Sequence, residues 1–190
     1  MNTKKKNNTK TQKQNKLILY ILIRYILILI SSLIFLGSLF INLAINLYTY
    51  LSYYFLKFIT DVTKDGLNLL VEDKYVFIVD ASCIAPSVYL LLSILILSVP
   101  LSNLILNLKI LGKALLLFSL FNLFRIFLLM IIHVFLGIEW FDKLHLLFYE
   151  LMSGIGTAII LIYLFKKEKI KNTYPIYSDI KNILNLFNKK

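Results

Sequence analysis

Four apolar runs separated by charged stretches set what this chain can fold into. Leu17–Ile41, Ser87–Leu106, Ala114–Leu136 and Leu146–Phe165 each hold roughly 20 mostly apolar residues, the length a helix needs to cross about 30 Å of hydrocarbon. The 190 residues are 59% hydrophobic with a mean hydropathy of +0.78, beyond the range of soluble domains. The expected fold class is an all-α integral membrane protein, a bundle of four transmembrane helices.

The net charge of +11 is distributed by side of the membrane. Lys4, Lys5, Lys6, Lys10, Lys13 and Lys16 precede the first run, and Lys109 and Lys113 lie between the second and third. Lys166, Lys167, Lys169, Lys171, Lys181, Lys189 and Lys190 follow the fourth. Fifteen of the 21 basic residues therefore fall on one side, while the opposite loops mix four lysines with seven acids. By the positive-inside rule both termini are expected in the cytoplasm of a multi-pass cell-membrane protein. The basic excess reads as a topology signal, so no nucleic-acid partner is expected. Residues 1–16 read as a disordered basic segment, 17–165 as one membrane domain and 166–190 as a cytoplasmic tail. Within that tail Ile180, Ile183, Leu184 and Phe187 are spaced for an amphipathic helix on the inner leaflet.

The first run exceeds the ~7–15 residues of a signal-peptide core and has no small-residue cleavage site, so it reads as a retained anchor. Asn42–Ile59 is also apolar. A fifth crossing there would put the lysine-rich tail outside, so the segment reads as an outer interfacial helix with Asn42, Asn46, Thr49 and Tyr53 as its polar stripe. The following loop, "LNLLVEDKYVFIVD", offers two β-prone runs around Glu72–Asp73–Lys74, a short hairpin before the single cysteine.

Cys83 sits at the head of the second span, with Pro86 suited to the first helical turn. A lone thiol in an apolar setting is as readily a packing residue as a nucleophile, although a helix N-terminus favours the thiolate. The third span raises its interest. Asn122, Arg125 and His133 share one face of an otherwise apolar helix, Asn122 and His133 about 20° apart and Arg125 about 60° away. An intramembrane arginine costs a few kcal/mol to insert and marks function by default. Asn122 suits either an interhelical hydrogen bond or a direct role, and His133 reads as structural. His145 opens the fourth span on the same side as Cys83, and Gly154 with Ala158 offers a small-xxx-small packing surface. Arg125 lies about 11 residues, roughly 16 Å, below the outer end of its helix. Either an aqueous vestibule reaches it, or the second span begins earlier and carries Cys83 deeper.

"ASCIAP", "FNLFRI" and "KLHLLF", in that order over Val76 to Leu164, resemble the archaeosortase/exosortase family. The resemblance implies a multi-spanning cysteine transpeptidase acting on secreted proteins with a C-terminal sorting signal: a short motif, a transmembrane helix and a basic tail. It assigns Cys83 as nucleophile, Arg125 and His145 as its catalytic partners, Asn122 as a supporting residue, and an active site facing outward. Ile84 departs from the Ser that often follows the family's cysteine, and the chain lacks the extra spans of larger members. The chemistry also follows from residue type. A thiol needs a basic or cationic neighbour, His145 is a suited acid–base group, and a fixed arginine steadies an oxyanion. The thioester would pass to water, an amine or a hydroxyl, a lipid acceptor among them. No cofactor or metal is expected, since one Cys, two His and no HExxH leave no ligand set. A small non-enzymatic subunit for transport or assembly, with Arg125 as a structural charge, is the reading from another class; a membrane acyltransferase with a cysteine relay is a third.

Overall fold

The computed structural model describes residues 2–72, 75–99, 103–149 and 153–170. In chain order it comprises α1 (Asn2–Phe35), α2 (Ser38–Lys57), β1 (Val62–Asp65), β2 (Asn68–Val71), β3 (Tyr75–Ile78), α3 (Ala81–Ile84), α4 (Pro86–Ser98), α5 (Leu104–Leu136), α6 (Ile138–Leu147) and α7 (Ser153–Lys167). The fold is mostly helical. Among the described residues four stretches are long and apolar enough to cross a membrane: Ile18–Phe35, Ser38–Lys57, Ala81–Ser98 and Leu104–Leu136. Their outward faces are apolar, as with Leu22, Leu29 and Leu33 on α1 and Leu116, Leu120 and Phe124 on α5. Contiguous apolar surface on that scale suits lipid as its solvent.

Several expectations change in detail. α1 begins at Asn2, so the basic segment expected to be disordered is helical from there on; Lys and Gln are good helix formers, and extending a formed helix costs little. The second span stops at Ser98 because Val99, preceding Pro100, is extended (φ −68°, ψ 124°). Leu104–Leu106, expected to end that span, instead start α5, whose N-terminus Asn103 caps by accepting from the Ile105 N–H at 2.9 Å. α5 thus runs through Lys109 and Lys113, ten residues earlier than expected. Of the run Leu146–Phe165, α6 takes in Leu146 and Leu147, α7 covers Ser153–Lys167, and residues 150–152 lie outside the described residues. The expected tail helix lies outside the described residues.

α2 differs most from expectation. It satisfies the length and composition of a span, and its buried face is Ala44, Tyr48, Thr49, Ser52 and Leu56. Thr49, assigned to an outward polar stripe, is fully buried, while Leu39, Leu43 and Leu47 face outward. The small and hydroxyl-bearing side is the one that permits close helix packing.

Contacts along the helices set the two ends of the bundle. Arg24 of α1 meets Leu97 and Ser98, and Phe35 packs on Tyr89, ring centroids 5.6 Å apart. α2 advances alongside α5 in the same sense, Tyr48 reaching the Ser119 carbonyl and Phe55 stacking on Phe127. Lys113 pairs with Glu168 at 2.6 Å, tying the start of α5 to the end of α7. The starts of α1 and α5 and the ends of α4 and α7 therefore share one end. α3, α6 and a three-stranded antiparallel sheet, β1–β2–β3, share the other. The expected hairpin is β2 and β3; β1 adds a strand through the two-residue turn Gly66–Leu67. Close packing of α7 on α5 uses Gly156, where a Cβ would stand 2.6 Å from the Phe121 ring, and not Gly154, which has open space. Two residues apart on a helix means nearly opposite faces.

Candidate active site

Cys83 is placed by one helical turn. Asp80, in extended conformation, caps α3: its carboxylate accepts from the Cys83 N–H at 3.1 Å and from the Ser82 hydroxyl at 2.6 Å. Partial burial pushes the Asp80 carboxyl up, but hydrogen bonds from the Ser82 hydroxyl and from the Cys83 N–H and thiol outweigh it and hold it below its ordinary value. The turn ends at Ala85, a non-glycine residue in the left-handed region (φ 55°, ψ 58°). Such a residue costs of order 1–3 kcal/mol, and here it breaks the helix two residues after the thiol.

That break has a consequence for backbone pairing. The Val88 N–H goes to the Ala85 carbonyl at 3.0 Å, so the carbonyls of Cys83 and Ile84 lose the partners a continuous helix would supply. α5 supplies replacements. Asn122 Nδ2 donates to the Cys83 carbonyl at 2.8 Å and to that of Ile84 at 3.4 Å, and an Arg125 Nη2 donates to the Cys83 carbonyl at 3.1 Å. Cys83 therefore lies at the depth of Asn122 and Arg125. Of the two ways to bring thiol and guanidinium together, the earlier start of the second span is the one found.

His145 arrives from above. Gly137, at φ 87°, ends α5 and reverses the chain into α6, a conformation side-chain-bearing residues rarely adopt. His145 lies near the end of α6 and stacks on Phe141 one turn earlier (5.4 Å, 16°). A cavity of about 170 Å³ collects these groups. Asp80, Ser82, Cys83, Arg125 and His145 line it on the polar side; Phe77, Ile126, Leu129, Met130 and Phe141 are among its apolar walls. Arg125 is 3% exposed, and among the described residues neither its Nε nor His145 Nε2 has a hydrogen-bond partner. A buried guanidinium N–H without a partner is a costly arrangement.

The five residues singled out in sequence thus divide. Cys83, Arg125 and His145 meet at one cavity, and Asn122 holds the Cys83 backbone from behind. His133 stays out of the cavity, boxed by the rings of Tyr75, Phe77 and Phe141 at 4.9, 4.6 and 5.1 Å. Two residues escaped sequence reasoning. Asp80 carried only the signal of an acid three residues before the cysteine, a helix-capping spacing. Arg24, an arginine inside an apolar run, carried the same signal as Arg125. It is 1% exposed and donates from Nε to the Leu97 carbonyl at 2.7 Å and from an Nη2 to that of Ser98, with Tyr20 beneath its guanidinium. Comparison with protein-family models, with curated proteins and with solved structures gives no match for the chain.

Proposed function

We propose that the protein is an intramembrane cysteine transpeptidase of the archaeosortase/exosortase kind. The observation that carries this reading is the meeting of Cys83, Arg125 and His145 at one cavity. His145 takes the Cys83 proton as the sulfur attacks a peptide carbonyl carbon. The C–S bond forms, and the carbonyl oxygen becomes an oxyanion, which Arg125 stabilises in a low-dielectric site. Collapse breaks the C–N bond as His145 returns the proton to the leaving amine, giving a thioester. An acceptor O–H or N–H then gives its proton to His145 and attacks the thioester. The C–S bond breaks and the sulfur regains a proton. Substrates are secreted proteins ending in a short motif, an apolar helix and a basic tail, the helix being the leaving fragment. Both termini are cytoplasmic on this reading, and the sheet end of the bundle faces outward, as the lysine distribution supports.

A second reading is favoured by one specific contact. Asn122 and Arg125 both satisfy the Cys83 carbonyl, so the same geometry suits a non-enzymatic subunit in which the arginine clasps α3 to α5. Co-expression with a secreted protein of the stated architecture from the same cells separates the two. Wild type shortens the substrate by its C-terminal helix; Cys83→Ala inserts normally and leaves it full length. Shortening that survives Cys83→Ala ends the transpeptidase reading and leaves the clasp.

A further inference from the structure

The sheet next to the cavity has an open side. β3 pairs with β2 alone, and among the described residues no backbone hydrogen bond reaches its other edge. The groups on that edge follow from the register. Asp65 and Asn68 close a two-residue turn, so they exchange both ladder hydrogen bonds, and Thr63 and Leu70 form the next such pair. Leu69 and Val71 therefore turn their backbone groups to β3, where they face Phe77 and Tyr75. The N–H and C=O groups of Val76 and Ile78 are left pointing away from the sheet.

The cavity adjoins the C-terminal end of this strand. Side chains of a strand alternate between faces, so a cavity against one face touches every second residue. This one touches both Phe77 and Ile78, the last two residues of β3, so it wraps the strand's end, and it continues past Val79 and Asp80. β2 occupies the opposite edge. The same cavity ends on Cys83, three residues beyond Asp80.

We infer that β3 is a docking edge for an extended peptide, which adds as a fourth strand and brings its scissile carbonyl to Cys83. The occupant is a polypeptide stretch beside the cleaved bond, because an unpaired N–H/C=O ladder is matched by another extended backbone. The inference rests on the cysteine reading above and deepens it. Substrate would be held through its main chain, with the apolar wall of Phe77, Leu129, Met130 and Phe141 admitting a compact apolar side chain. Recognition of this kind demands an unfolded segment next to the leaving helix and tolerates varied side chains.

The test uses the full chain in detergent micelles and a tetrapeptide chloromethyl ketone of alternating valine and alanine. The Cys83 sulfur displaces chloride and forms a C–S bond. Each peptide amide is N-methylated in turn, and labelling rates are compared with those of iodoacetamide, which has no backbone to pair. N-methylation at alternate amides is expected to slow labelling about tenfold each, and at the intervening amides hardly at all. Ile78→Pro removes an outward N–H that the β2 ladder does not use. It is expected to lower the ratio of peptide to iodoacetamide rates by a similar factor, and to make that ratio indifferent to N-methylation at the amide that had paired with Ile78. Equal sensitivity at every amide, or at none, overturns edge docking while leaving the cysteine reading intact. A Cys83 that neither reagent labels overturns both.

Discussion

Two arginines are buried in this bundle to almost the same degree, Arg24 at 1% and Arg125 at 3% exposure, and they are held in different ways. Arg24 sits at the C-terminal end of α4, where helix geometry leaves carbonyls without partners and the macrodipole is negative. Its guanidinium donates to the Leu97 and Ser98 carbonyls from two nitrogens. Arg125 sits beside α3, at the other end of the Ala81–Ser98 stretch; it has one described hydrogen bond, to Cys83, and lines the cavity. An intramembrane arginine is therefore not by itself evidence of chemistry. What separates the two is whether the guanidinium is taken up by helix-end carbonyls or lines a cavity beside a thiol.

The comparison can be broken most sharply by the histidines that accompany Arg125. On the proposed mechanism His145→Ala lowers substrate shortening by about 10²–10⁴-fold, the range for a lost acid–base group. His133→Ala, which removes a ring from an aromatic box outside the cavity, lowers thermal stability while shortening continues. A dead His133→Ala beside an active His145→Ala would reverse the assignment.

The arginines themselves come next. Arg125→Met is expected to cost about 10²–10³-fold in shortening, as for a lost oxyanion donor, and Arg125→Lys to recover little, because an ammonium lacks the planar fork. Arg24→Met should leave that rate within a small factor yet destabilise the bundle by about 1–3 kcal/mol, the cost of two carbonyls stripped of their donor. Thermal unfolding in detergent, measured beside substrate shortening, separates the two. Equal effects of both variants on both measurements would erase the distinction.

Much of this was legible in the sequence, and the failures are physical. The apolar runs marked most of the helices, and three short motifs singled out Cys83, Arg125 and His145, which line one cavity. The extra depth of Cys83 was not legible, because it depends on Ala85 taking a left-handed conformation that no residue type announces. Separating α6 from α5 depends likewise on Gly137 at positive φ. Gly154 and Gly156 show the phase problem: periodicity gives two opposite faces, and only packing says which is inward. Arg24 carries the same sequence signal as Arg125, an arginine inside an apolar run.

The smallest expected effect lies at the end of the bundle away from the cavity. The exposed pair of Lys113 and Glu168 holds the Glu168 carboxyl below its ordinary value, through the Lys113 hydrogen bond first. A depressed carboxyl stabilises the fold above the ordinary carboxylate range and loses that contribution as pH falls through its lowered value. Lys113→Ala should therefore shift thermal stability less than Arg24→Met at neutral pH. The difference from wild type should vanish in acid and in high salt. A larger shift than that of Arg24→Met would mean that exposed charge, not the buried guanidinium, holds this end together.

The central claim is that Cys83, Arg125 and His145 act as one reactive centre, and alkylation of Cys83 by iodoacetamide at neutral pH tests it most directly. Wild type, Arg24→Met, Arg125→Met and His145→Ala are compared in the same micelles, with a mass shift at Cys83 as readout. Ready labelling of wild type and Arg24→Met, with rates at least about tenfold lower in Arg125→Met and His145→Ala, is the predicted result. A thiol that labels at one rate in all four, or in none, would contradict it.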